Sequence, residues 1–224
     1  QTKNRFKLSI NFVKNIYLKY GFGNTRFEVT DLGLPSSTPL KRKPSASFRI
    51  GYIGSIHPIK NIEAIVRVAS QTGSNCTYQI WGNGMFESVN QLLESIQGMS
   101  SISYNGPYIR ENLPLIFSEI DVLVIPSYLE SSSITIREAF QHNTIVIASA
   151  RGGMVELVEE NVNGFLSNPD NPEELTAIIK RLAADPSIVR SIEKNLKPLF
   201  SCKDEALLWK SRYNDLLSMK LPST

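Results

Sequence analysis

From residue 48 onward, short apolar runs alternate with amphipathic stretches. The runs at 48–53, 77–81, 101–104, 121–125 and 144–148 are mostly rich in Ile, Val or Tyr and bounded by Gly, Pro, Asn or Ser, which reads as buried parallel strands. Between them Ile62, Ile65, Val66 and Ala69 fall at i, i+3, i+4 and i+7, one apolar stripe of a helix. Val89, Leu92, Leu93 and Ile96 repeat that spacing, as do Leu175, Ile178, Ile179 and Leu182. Strands and helices in regular alternation predict an α/β fold, a doubly wound parallel sheet of Rossmann-like type, with ligands at the C-terminal ends of its strands.

The two ends follow other rules. Leu8, Phe12, Ile16 and Tyr20 predict a helix stopped by Gly21, followed by a short strand over 26–30 and a Pro- and Lys-rich linker. One helix and one strand bury no core, so 1–34 is expected to be the remnant of a preceding domain. Residues 35–47 are then a linker, 48–200 the main domain, and 201–224 a terminal helix (Ala206, Trp209, Tyr213, Leu216) that needs a partner surface.

Composition excludes several classes. A chain of 224 residues with 42% hydrophobic residues, 13 Gly and 12 Pro is globular rather than disordered or fibrous. Cys76 and Cys202, far apart, form neither a metal-ligand spacing nor a secreted disulfide framework, so a reducing, cytoplasmic setting is expected. Apolar runs of about five residues fall far short of a membrane span. The net charge of +3 conceals an asymmetry: residues 1–49 hold ten basic side chains (Lys3, Arg5, Lys7, Lys14, Lys19, Arg26, Lys41, Arg42, Lys43, Arg49) against Glu28 and Asp31. Such a segment is either a solvated face or a surface that meets anions, including a membrane.

Three stretches carry candidate chemistry. Gly54-Ser55-Ile56-His57-Pro58-Ile59-Lys60-Asn61 follows the first strand; Gly54 permits close backbone approach, and Lys60 at a helix start suits a phosphate or is simply a solvated surface lysine. Pro126-Ser-Tyr-Leu-Glu130-Ser-Ser-Ser-Ile-Thr-Ile-Arg-Glu138 brackets three serines between two carboxylates at the opening of a helix. Hydroxyls and free N–H groups there suit a diphosphate, and carboxylates suit the hydroxyls of ribose or sugar. Thr135-x-x-Glu138 reads equally as a capping box. Gly152-Gly153 and Gly82-Asn83-Gly84 are further strand-end turns, so four glycine turns on strand ends converge on one cleft edge, which favours a nucleotide. A dehydrogenase should carry Gly-x-Gly-x-x-Gly after its first strand, and Gly51-x-x-Gly54 does not match it.

In order and spacing, Gly54-x5-Lys60, Gly82-x-Gly84, Tyr104-Asn-Gly106, Asp121-Val-Leu-Val-Ile-Pro-Ser, Glu130-x7-Glu138, Gly152-Gly153-Met154-x-Glu156 and Asn163-Gly164-Phe165-Leu166 resemble the GT-B glycosyltransferases of family 4, over residues 48 to 185. The resemblance implies the donor-binding, C-terminal half of a GT-B fold, with 1–34 from the acceptor domain and the C-terminal helix packing back toward it. It implies a retaining transferase of a sugar from a nucleotide sugar to a glycan, lipid-linked or small-molecule hydroxyl, with no metal or other cofactor and no nucleic-acid partner. By the same resemblance Lys60 neutralises the donor diphosphate, Glu130 holds sugar hydroxyls and Glu138 ribose hydroxyls. Ser132, Ser133, Ile134 and Thr135 bind phosphate, Pro107 and Tyr108 read the base through their backbone, and Gly54, Gly82 and Gly84 keep the cleft open. Two positions depart from the pattern: Ser55 stands where the family usually has Arg, and Ser131-Ser132-Ser133 replaces Gly-aromatic-Gly. Those departures fit an alternative, a non-catalytic module that keeps the fold for binding or assembly.

Overall fold

A computed structural model describes residues 5–23, 26–197 and 199–218. Lys3, the tail beyond Ser218 and the side chains of Arg5, Lys7, Arg26 and Leu216 lie outside this description.

The body is a six-stranded parallel sheet. Strands β3 (Phe48–Ile53), β4 (Cys76–Trp81), β5 (Ile102–Tyr104), β6 (Val122–Ile125), β7 (Ile145–Ser149) and β8 (Gly164–Ser167) lie in the order β5-β4-β3-β6-β7-β8. Every residue of β3, β6 and β7 is buried, as strands covered on both faces require. One layer of core gathers Tyr52, Tyr78, Ile80, Val122 and Phe165 under α2 (Ile62–Gln71) and α7 (Pro172–Ala184). The other gathers Leu123, Ile125, Ile136 and Val146 under α4 (Leu113–Ser118) and α5 (Ile134–Gln141). Helices on both faces and a chain that starts in the middle and winds out both ways confirm the expected doubly wound sheet. Chain direction across the sheet reverses between β3 and β6, where Ile50 pairs with Val122 and Gly51 with Leu123. That junction is the topological switch point, and the loops leaving those two strands flank the crevice where such folds take their ligands.

Two elements differ from the expectation. Strand β8 joins the sheet beside β7, although its glycine start and four residues give little strand signal; Gly164 is required because a Cβ there would run into the Val146 carbonyl. Residues 5–29 are strand, helix, strand rather than helix and strand: Leu8 ends β1 (Arg5–Leu8), α1 spans Asn11–Lys19, and β2 (Arg26–Val29) pairs with β1 in parallel. Phe12 and Ile16 do fall on α1, but the helical spacing ran one strand too far back.

This small unit meets the body at a few polar points. Ile10, at the N-cap of α1, has no side-chain oxygen to offer, and the carboxylate of Glu156 substitutes for it, accepting from the amides of Asn11 at 2.9 Å and Phe12 at 2.5 Å. Glu156 belongs to α6 (Met154–Leu157) after β7. At the other end α9 (Cys202–Ser218) returns across the unit: Arg212 pairs with Glu28 at 2.5 Å and Leu34 bridges to Ser201. Cys76 is buried and Cys202 exposed, both as free thiols. No helix among the described residues is long and apolar enough to cross a membrane.

Candidate functional site

The loops that leave β3 and β6 are stitched together at the switch point. Tyr128 N donates to Ile59 O at 2.9 Å, and Asn61 Nδ2 donates to the carbonyls of Pro126 and Pro169, each at 3.2 Å. Asn61 takes a left-handed conformation (φ 54), which asparagine tolerates better than most side chains. It is buried, and its amide ties the ends of β3, β6 and β8 together. Sequence reading placed this residue beside Lys60 but gave it no role; its αL-tolerant side chain was the available signal.

This stitching brings the two charged residues of these loops into contact. Lys60 Nζ meets Glu130 Oε1 at 2.6 Å, and Ser127 Oγ donates to the same oxygen at 3.3 Å. The Glu130 Oε2 oxygen is left with acceptor capacity to spare. Beneath them, buried Tyr52 donates from its hydroxyl to Ser55 O at 2.8 Å, fixing the Gly54-Ser55 turn. Burial first, then the charges of Glu130 and Tyr108, push the Tyr52 phenol well above its ordinary range, so it remains a proton donor.

Glu138 lies one turn into α5. Its side chain is only 9% exposed and Oε1 receives Arg110 Nη2 at 3.1 Å. Burial pushes its carboxyl up, and Arg110 opposes that rise. The helix begins with Ser133 as N-cap, its hydroxyl accepting from Ile136 N at 3.4 Å. The capping-box alternative for Thr135 and Glu138 therefore fails: Thr135 sits inside the first turn, not at the cap. The amides of Ile134 and Thr135 in that turn have no intrahelical acceptor. Ser132 Oγ is buried with no hydrogen-bond partner, an orphaned hydroxyl just before the helix.

Pro107 and Tyr108 follow β5 on the same edge. Burial raises the Tyr108 phenol, with the charge of Glu138 as the next cause. Arg110, on the adjoining single turn (Arg110–Asn112), is a cleft residue that sequence reading missed. The other basic side chains of these loops and of α5 are committed elsewhere. Arg137 pairs with Asp31, Arg151 with Asp170 at 2.6 Å, and His57 Nδ1 accepts from Ile59 N at 3.2 Å as the cap of a short turn.

The glycines let neighbouring turns pack closely. A Cβ on Gly82 would strike Gly54 O, one on Gly84 would strike Ile56 O, and one on Gly153 would strike Ser131 O. On Gly152 (φ 64) it would lie 2.6 Å from Glu130 O. These turns stack against one another, and Gly153 N donates to Glu130 O at 2.8 Å. For Gly54 the nearest atom is a side chain, the Tyr52 hydroxyl at 2.8 Å. Gly152 and Gly153 thus back the loop that carries Glu130, and Gly82 and Gly84 the loop that leads to Lys60.

The basic linker lies at the opposite, N-terminal edge of the sheet, around a cavity of about 590 Å³ lined by Lys41, Arg42, Lys43, Arg49 and Arg190 among others. Asp121 there receives Arg49 through the backbone amide at 2.9 Å, Nε at 3.1 Å and Nη2 at 2.9 Å.

Comparison with known proteins places this arrangement. Among curated relatives, the D-inositol 3-phosphate glycosyltransferase of Salinispora arenicola is 23% identical over 65% of this chain and 35% of its own length. The alpha-D-kanosaminyltransferase of Streptomyces kanamyceticus is 25% identical over 68% of the chain and 40% of its own. The chain thus spans well under half the length of these relatives. A sucrose-phosphate synthase from Thermosynechococcus elongatus superposes with a TM-score of 0.85 at 22% identity, covering 96% of this chain and 59% of that one. The Anabaena protein HepE, solved with UDP and glucose, superposes at 0.79 and 21% identity, covering 96% and 62%. These likenesses establish the C-terminal fold of GT-B enzymes. The family model for "Glycosyl transferases group 1" matches residues 47–185, the stretch that holds the six-stranded sheet with Lys60, Arg110, Glu130 and Glu138 at its edge, and the chain belongs to that family.

Proposed function

We propose that residues 48–200 are the nucleotide-sugar donor domain of a retaining glycosyltransferase, which transfers a sugar to a hydroxyl of a glycan, lipid-linked or small-molecule acceptor. The observation that carries this reading is the placement of two half-used carboxylates, Glu130 and Glu138, around the opening of α5 at the switch point. Glu138 offers an acceptor oxygen to ribose hydroxyls and Glu130 one to sugar hydroxyls. The first-turn amides of Ile134 and Thr135, with Ser132, face the diphosphate, and the helix dipole favours its charge. Lys60 stabilises charge on the leaving nucleoside diphosphate, the largest electrostatic demand of the transfer. Pro107 and Tyr108 border the base. HepE's complex with UDP and glucose supports a nucleotide sugar as ligand. No cofactor beyond the donor is part of this reading.

The unit 1–34 and α9 belong, in this reading, to an acceptor-side domain, and the acceptor is recognised there. Calorimetry of this chain with uridine, adenosine, guanosine and cytidine diphosphates and their sugars tests the donor reading. One nucleotide should bind with Kd on the order of 0.1 mM or tighter. No binding by any of them at millimolar concentration overturns it.

A further inference from the structure

The loops at the C-terminal edge of the sheet supply few cations. Lys60 is engaged by Glu130, Arg151 by Asp170, and Arg137, on α5, by Asp31; Ser55 brings no charge. Arg110 differs from these in its partner. Its side chain is 47% exposed and, among the described residues, its one ion pair is with Glu138, at 3.1 Å. Arg110 is thus held by a single contact, half in water, on the same carboxylate that the proposed function assigns to ribose.

A nucleoside diphosphate entering this crevice brings two things that act on that contact together. Its ribose hydroxyls are donors that compete for the Glu138 oxygens, and its phosphates carry more negative charge than one carboxylate and present oxygens that fit a guanidinium fork. We propose that Arg110 is an exchangeable latch: it pairs with Glu138 in the empty cleft and transfers to the donor's diphosphate when ribose hydroxyls take over Glu138. The exchange keeps a counter-charge near Glu138 while no ligand is present, so a buried carboxylate is not left alone. It also supplies the diphosphate with a second cation beside Lys60. Arg110 is accordingly a donor-binding residue, with discrimination in favour of phosphorylated over unphosphorylated nucleosides.

This inference rests on the donor reading above, and its test separates the two. Arg110→Ala, with Arg110→Gln as a second variant, is compared with the unaltered chain by calorimetry, using the nucleoside and nucleoside diphosphate of the preferred base. Melting temperature is followed in parallel. The expected result is a loss of about tenfold or more in nucleoside diphosphate affinity, while nucleoside affinity is unchanged or rises because Glu138 has lost its competitor. Equal losses for both ligands would assign Arg110 a structural role, and unchanged affinities would remove it from the site; either overturns the latch. Absence of binding by the unaltered chain instead overturns the donor reading, and the latch with it.

Discussion

Asp121 at the N-terminal edge of the sheet and Glu138 at the C-terminal edge are both sequestered carboxylates facing arginine, yet one is nearly saturated and the other is not. Asp121 receives the amide, Nε and Nη2 of Arg49, with Arg42 Nε 3.6 Å away. Glu138 has an ion pair with one nitrogen of one half-exposed side chain. A carboxylate accepts about four hydrogen bonds, so the first has spent most of its capacity on the fold and the second has kept most of its own. Two ion pairs of similar length can therefore have opposite meanings, and unused acceptor capacity separates them better than distance.

The sharpest way to break this comparison is Asp121→Ala. It leaves Arg49, with a side chain 10% exposed, without its counter-charge, and removal of one partner of a buried pair costs about 3 kcal/mol. Denaturant unfolding should show that loss, while the nucleotide affinity of the folded protein stays unchanged. An Asp121→Ala chain as stable as the original would mean the N-terminal edge is no more structural than the cleft.

Glu138→Gln is the converse. Its carboxyl is raised in the folded chain by burial, with Arg110 in opposition. A raised carboxyl contributes stability that is fully present below its unfolded value and lost as pH rises through its folded value. At neutral pH the ionised group therefore weighs against the fold, and Glu138→Gln should hold or raise the melting temperature. Its nucleoside affinity should fall about tenfold, since a ribose hydroxyl loses its charged acceptor. In the unaltered chain, nucleoside affinity should weaken as pH falls through the raised carboxyl value, a dependence that titration calorimetry across the acid range would show and that the Gln variant should lack. A change that leaves the fold as stable or more so while weakening binding is the signature of a group retained for function.

The fold was legible because the strands announce themselves locally: 48–53, 121–125 and 144–148 are short, mostly apolar runs with glycine, proline or asparagine at their borders. Gly164–Ser167 hid because its glycine start, needed to pass Val146, weakens the strand signal. Lys60 and Glu130, in strand-end loops of unusual composition, and Glu138, in the helix that follows, stood out in the sequence as candidates. Arg110, Asn61 and Glu156 acquire their partners across 28, 65 and 145 positions of chain, and no local pattern reports such pairings. For Glu156 the clue lay at the other partner, an isoleucine at the N-cap of α1 that cannot cap its own helix. Glu156→Ala should cost about 1 kcal/mol, measured as lost protection of the α1 amides in hydrogen exchange.

The smallest expected effect on stability gives the cleanest contrast between the two edges. Lys43 pairs with Glu119 at 2.5 Å beside the linker, and Lys60 pairs with Glu130 at 2.6 Å in the cleft. The first pair is largely in water, so Lys43→Ala should shift unfolding by less than about 1 kcal/mol and leave nucleotide binding untouched. Lys60→Ala frees the partly solvated Glu130, whose Ser127 contact remains, so its unfolding should shift only modestly as well. The two variants then part company in calorimetry. Lys60→Ala alone should weaken nucleoside diphosphate binding, with little change for the bare nucleoside, because the proposed function puts Lys60 on phosphate and Glu138 on ribose. Lys60 and Lys43 make ion pairs of nearly equal length, but only the Lys60 pair stands just before a helix N-terminus at the switch point, and it is that neighbourhood the two variants compare.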